Sequence, residues 1–274
     1  MVQNDRVPVT TQRHSKCSWH RFASYDFART TTVCELVASE IPIVAASFPI
    51  GFLTDGELPR PVCIMSVLEG EPNPFVADDG RWLAPYVPSA LRCHPFHAAP
   101  ADRRETGHAN TFTLLVDETT GLVSPDSTGL PFFTPDMTPS QELGAVISFM
   151  RRYVAEKEAA VSACAVFAEL KLFAPLQPGG PLTLDLPLCG IDFARLAELS
   201  PPETSLMMTS GAMQIAYSHR VSLAHCEWLG KLQLAARRTQ SACGTSQPSE
   251  LDGFLTAVAA AQSKAQDEAA HAFV

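Results

Sequence analysis

Thr138-Pro139-Ser140-Gln141-Glu142-Leu143-Gly144-Ala145-Val146-Ile147 is where the chain changes its hydrophobic period. A capping threonine, a proline at the first helical position and a glutamine three residues on would satisfy the free N–H groups of a helix start. Beyond it, Leu143, Val146, Ile147, Met150, Val154, Val161, Cys164 and Phe167 recur near helical spacing, while Arg151, Arg152, Glu156, Lys157 and Glu158 take the other side. That pattern predicts one long helix. The prolines from Pro175 to Pro181 are expected to end it.

Upstream of this point the signals are of a different kind. Phe48–Leu53, Val62–Leu68 and Thr111–Val116 are short, apolar and partly β-branched, and Thr54-Asp55-Gly56 and Asp78-Asp79-Gly80 carry turn chemistry. Most of the 22 prolines fall here and keep the strands short. Downstream, Leu182–Leu186 reads as another short strand, and Ser200-Pro201-Pro202-Glu203 repeats the capping logic for a further helix. Gly211 divides that helix from the next, in which Met213, Tyr217, Val221, Ala224, Trp228 and Leu232 step by three and four and are taken as a core-facing stripe. The expected fold class is α+β, with a β-rich N-terminal half of short strands and a helical C-terminal half. The expected organisation is an arm over 1–30, a body over 31–238, and a linker with a peripheral alanine-rich tail over 239–274.

Composition narrows the function. With 274 residues, 46% of them hydrophobic and 18% charged, the chain can bury an ordinary core. A net charge of −9 and a pI near 5.3 speak against nucleic acid as a partner, since a phosphate-binding face needs surplus Lys and Arg. The eight cysteines are scattered through apolar runs without a C-x-x-C pair, which points to free buried thiols in a reducing compartment. Met1–Thr11 is polar and lacks the pattern of a signal peptide, and the most apolar window, Leu36–Leu53, is broken by Glu40, Pro42 and Pro49. The expectation is a soluble, cytoplasmic protein without a membrane span.

Cys93-His94-Pro95-Phe96-His97 has no second cluster to complete a metal site, and His219 and His225 point about 120° apart on a helix, so no metal is expected. Neither a G-x-S-x-G nucleophile turn nor a phosphate-cradling glycine loop occurs, so no cofactor is expected either. His219 and Ser222 lie three apart on one helical face beside Ile215 and Cys226, a spacing that fits a buried hydrogen bond better than a catalytic dyad.

Four separated segments agree in order with one known family. Ala46-Ser-Phe-Pro-Ile-Gly-Phe-Leu53, Gly80-Arg-Trp-Leu-Ala-Pro-Tyr-Val-Pro-Ser-Ala-Leu-Arg-Cys-His-Pro-Phe96, Leu114-Leu-Val-Asp-Glu118 and Ile215-Ala-Tyr-Ser-His-Arg-Val-Ser-Leu223 resemble the SapC family, bacterial proteins. The likeness spans about residues 20–236, with Cys93-His94 standing where the family tends to carry Arg-Tyr. It implies a link to bacterial surface layers, and a gene neighbourhood shared with outer-membrane receptors and tryptophan halogenases. It implies no reaction.

The polar residues inside these apolar segments are Glu40, Arg92, Asp117 and His219, and burying them requires partners. They are the expected ligand-binding set, with Arg92, Asp117 and His219 converging and Arg92 paired with Asp117. The leading expectation is a binding or accessory protein for an unidentified protein or small-molecule partner. The alternatives are an enzyme in which His219 is the acid/base and Arg92 holds a small anionic substrate, and a surface-layer structural protein. A chain ended after Arg238 is expected to melt within a few degrees of the full-length protein; its collapse into inclusion bodies would make the tail part of the core or of an oligomer interface.

Overall fold

The computed structural model describes residues 6–68, 70–100, 112–126, 128–178, 183 and 186–242, with side chains through Arg238. In chain order the strands are β1 (Arg6–Pro8), β2 (Ser18–Trp19), β3 (Val33–Glu35), β4 (Ile50–Leu53), β5 (Arg60–Ile64), β6 (Phe96–Pro100), β7 (Phe112–Asp117), β8 (Val123–Ser124), β9 (Leu130–Pro131), β10 (Phe173–Pro175) and β11 (Leu188–Ile191). The α-helices are α1 (Thr11–His14), α2 (Ile41–Val44), α3 (Ser89–Arg92), α4 (Gln141–Glu169), α5 (Phe193–Ala197), α6 (Pro201–Thr209), α7 (Ala212–Ser222) and α8 (Ala224–Ala242). Short strands before α4 and helices after it make the fold α+β, as the change of period implies.

The described chain divides into two compact units interleaved in sequence. The first comprises residues up to Ala23 together with Ser89–Ala159, and the second comprises Ser24–Pro88 together with the residues from Ala160 on. The first unit holds two three-stranded antiparallel sheets, β1-β7-β6 and β8-β2-β9. The segment read as an arm is therefore woven into a body: β1 pairs with β7, and β2 is the middle strand of its sheet. Trp19, Phe96, Val116, Phe132 and Leu143 form the core here.

The second unit is built on one five-stranded antiparallel sheet in the order β10-β11-β4-β5-β3. Its core gathers Phe48, Ile50, Phe52, Val62, Ile64, Phe167 and Leu172, all out of solvent. Phe52 meets Phe167 and Phe173 edge-on, the preferred geometry for aromatic rings. Gly80 closes its turn at φ +80°, where a Cβ would also collide with Ser24.

Several expected boundaries shift for physical reasons. Ser140, not Thr138, caps α4: its Oγ accepts from Leu143 N at 3.1 Å, while Thr138 is bound back to Thr134 and Pro139 is held extended opposite Phe133. The helix stops at Glu169, before the proline run, because Lys171 turns left-handed at φ 54° and Pro175 sits in β10. The capping box at Ser200 and Glu203 forms as expected, and Gly211 at φ 75° separates α6 from α7. The strand expected at Leu182–Leu186 falls mostly outside the described residues, as does the tail from Cys243 on.

Of the expected stripe Met213, Tyr217, Val221, Ala224, Trp228 and Leu232, Leu232 alone is buried, and Trp228 lies with its ring 6.1 Å from that of Phe75, so the stripe as a whole is not a core face. Tyr217, Val221 and Trp228 are 54%, 66% and 39% exposed, and the opposite face of the same helices is buried instead: Ile215, His219, Ser222, Cys226 and Leu229. Both stripes step by threes and fours, so the period alone does not choose between them.

The seven cysteines among the described residues are free thiols, and burial pushes Cys164 up to about 12 and Cys226 up to about 11. Alkylation of denatured, non-reduced protein is expected to label every cysteine, and among the described thiols native protein is expected to react first at half-buried Cys17, since burial pushes the similarly placed Cys189 up to about 11. A mass showing two intact disulfides would overturn this assignment.

Candidate functional site

The sheet of the second unit has a gap at its middle. β11 pairs with β4 through Leu188↔Leu53 and Cys189↔Phe52, so the register continued by two residues would put Ile191 opposite Ile50. In an antiparallel ladder two such residues would exchange two N–H···O=C bonds. Here α7 meets three of those four main-chain groups instead, the N–H and carbonyl of Ile50 and the N–H of Ile191. His219 accepts from Ile191 N at Nε2 (3.3 Å) and, through Nδ1, donates to the Ile50 carbonyl at 2.7 Å. Ser222 Oγ accepts from Ile50 N at 2.9 Å and donates to the His219 carbonyl at 2.7 Å.

The imidazole is thus a relay inserted between two strands, and its neighbours are shaped around it. Phe193 stacks on the ring at 6.1 Å and 12°, and Phe52 meets it edge-on at 5.3 Å. A Cβ at Gly190 would stand 3.0 Å from Nε2, so glycine gives the ring its room. At 1% exposure the charged form is penalised, and burial carries the histidine down to about 4, against a smaller upward pull from the Ile50 bond. The ring is a neutral tautomer with one N–H and one lone pair, and the main chain takes both.

The rest of the buried face of α7 and α8 repeats this pattern. His225 Nε2 lies 3.1 Å from the Ala45 carbonyl. Gln233 accepts from Val67 N at 2.8 Å and donates to Ser66 Oγ and the Pro72 carbonyl. Polar side chains of two helices therefore satisfy main-chain groups of the strand ends and loops they cover, the requirement that any buried backbone must meet.

Glu40, 2% exposed in the same unit, accepts from Val37 N at 3.0 Å and from the Tyr86 hydroxyl at 2.9 Å. Trp82 Nε1 donates to the Tyr86 carbonyl at 2.9 Å, and its ring lies among Phe48, Phe75 and Tyr25. The W-x-x-x-Y spacing thereby positions one hydroxyl for one buried carboxylate.

Arg92 and Asp117 belong to the first unit. The Asp117 carboxylate accepts from Thr119 N at 2.9 Å and Thr119 Oγ1 at 2.6 Å, which makes it the cap of the turn after β7. Arg92 is exposed, donates to Ser89 Oγ at 2.7 Å and lies 5.7 Å from the Phe149 ring centroid. The expected Arg92–Asp117 ion pair is not formed among the described residues; Thr119 takes the Asp117 Oδ1, and Arg92 turns to Ser89 and Phe149. Among the described residues no group of three or more His, Cys, Asp or Glu could hold a metal ion, and no helix is long and apolar enough to cross a membrane.

These contacts join the segments in which the sequence resemblance lies: Phe48-Pro49-Ile50 is the main chain that His219 and Ser222 hold. The SapC family model matches residues 9–229. The chain belongs to the SapC family. No curated protein and no solved structure matches it.

His219 and Ser222 stand out in the sequence but their partner does not, because the partner is the backbone of Ile50 and carries no side-chain signature. Replacing His219 by Ala strands a buried carbonyl and a buried N–H, and is expected to cost about 3–5 kcal/mol. Its proton linkage has a definite sign. The unfolded histidine titrates near its ordinary value and the folded one at about 4, so the unfolded state binds more protons between these limits. Stability should fall as pH drops through that window, by about 3 kcal/mol from His219, with His14, His94 and His97 shifted the same way by burial. Denaturant titrations of His219→Gln should show a shallower slope by about one proton; an unchanged slope would contradict the inserted neutral ring.

Proposed function

We propose that this SapC-family protein is a non-catalytic binding or accessory protein, and that it works through the exposed apolar face of α7 and α8 rather than by turnover at His219. The observation that carries this reading is the exposure of Tyr217, Val221 and Trp228 on one face, at 54%, 66% and 39%. Large apolar side chains grouped on a helix face are the mark of a surface that docks another protein. A tryptophan and a tyrosine are also the residues that most often anchor such contacts.

The enzyme alternative has less to draw on. An acid/base histidine needs a nitrogen within reach of a substrate proton, and both nitrogens of His219 are bound to main chain. Arg92, which would have held an anionic substrate, is exposed and directed to Ser89 and Phe149. The seven free thiols suit action in a reducing compartment.

The test is site-specific photocrosslinking. With a benzophenone amino acid at Tyr217 or Val221, ultraviolet light is expected to give a discrete protein adduct in the native host. The same probe at Glu57, exposed on a turn elsewhere in the second unit, should give none. Equal or absent labelling at all three positions would remove the reading.

A further inference from the structure

The exposed stripe has an internal symmetry that a second copy of itself can match, and the charges beside it favour that occupant. Tyr217, Val221, Ala224 and Trp228 are spaced four, three and four, so the order of gaps is the same read from either end. Laid antiparallel on a second copy about a two-fold axis between Ser222 and Leu223, Tyr217 comes opposite Trp228 and Val221 opposite Ala224. Each layer then sets a large ring against a large ring, or a branched side chain against a small one. Complementary shapes meeting across a two-fold are what an isologous helix pair requires.

The flanking charges agree with the same register. Arg220 and Glu227 each immediately precede a stripe residue and are exposed, so both border the seam on the same side. In the antiparallel pair Arg220 of one copy falls beside Glu227 of the other, and the symmetry makes this contact twice. Charges in these flanking positions set partner choice and orientation in paired helices. In the single chain Arg220 lies 4.7 Å from the Phe193 ring centroid, and Glu227 is bound to Lys231, four residues on, at 2.6 Å. An exposed pair of that kind is weak and can exchange at little cost. The seam also ends where it should: the next positions outward, Gln214 and Lys231, are exposed and polar and face one another in the same register.

We propose that the α7–α8 face is a self-association surface, on which a second copy of this chain docks antiparallel. This names the partner for the docking face argued above and rests on that reading. The face is free to do so because His219, Ser222, Cys226 and Leu229 hold the opposite side to the protein's own sheet and core.

The experiment is sedimentation equilibrium of the full-length chain and four variants over a wide concentration range. Wild type is expected to be a dimer. Val221→Glu, which places a carboxylate at the seam, should weaken it by about 100-fold without lowering the melting temperature, the scale of losing a central interface anchor. Arg220→Glu and Glu227→Arg alone should each weaken the dimer by about tenfold or more, and the double exchange should restore it. Restoration is the outcome a general stickiness of the face would not produce. A wild-type monomer at every concentration, a dimer indifferent to Val221→Glu, or a double exchange as weak as the single ones would overturn the proposal. If the chain is monomeric while the Tyr217 crosslink yields an adduct of another mass, self-association falls and the docking reading stands. If neither dimer nor adduct forms, both fall.

Discussion

Ile50 opens a strand whose neighbour has moved away, and a buried main chain cannot be left in that condition. Its carbonyl and N–H point toward the place where Ile191 would continue the ladder. The His219 ring and the Ser222 hydroxyl fill that place. Much of the second unit depends on this substitution: Gly190 must lack a side chain, Phe193 must cover the ring, and α7 must turn its polar stripe inward. A peptide group without a partner in such surroundings would cost about 1–3 kcal/mol, so the constraint is strong enough to orient a helix.

The orientation of α7 has a second effect. A helix that presents His219 and Ser222 to the sheet must present the residues two positions away to solvent, since two steps turn the chain by about 200°. Tyr217 and Val221, each two positions from His219, are exposed for that reason. Structure and surface are therefore linked through α7: the residues that close the sheet decide which of its apolar residues stay in solvent. The same economy is seen at Gln233 and His225, which reach inward from α8 while Glu227 and Lys231 stay outside.

The first unit follows a more local logic. Asp117 caps the turn that follows its own strand, and Ser140 caps the helix that follows its own bridge, so both side chains are used within a few residues of where they stand. Glu40 and His219 behave differently, since each holds chain that is distant in sequence: Tyr86 in one case and Ile50 with Ile191 in the other. The four polar residues that looked alike in the sequence therefore divide into a local cap, an exposed cation and two long-range ties.

By itself the sequence determined the change from short strands to helices, the capping box at Ser200, the break at Gly211 and membership of the SapC family, because each is written in residues close to one another or in a fixed order of motifs. It also marked His219 and Ser222 as a pair facing one way. Only the tertiary structure decided that this pair faces inward and the Tyr217–Trp228 stripe outward. Two stripes of similar spacing compete along α7 and α8, and hydrophobicity alone favours the apolar one. The unpaired peptide groups of Ile50 and Ile191 settle the competition, and main-chain groups leave no trace in the identity of the residues that carry them.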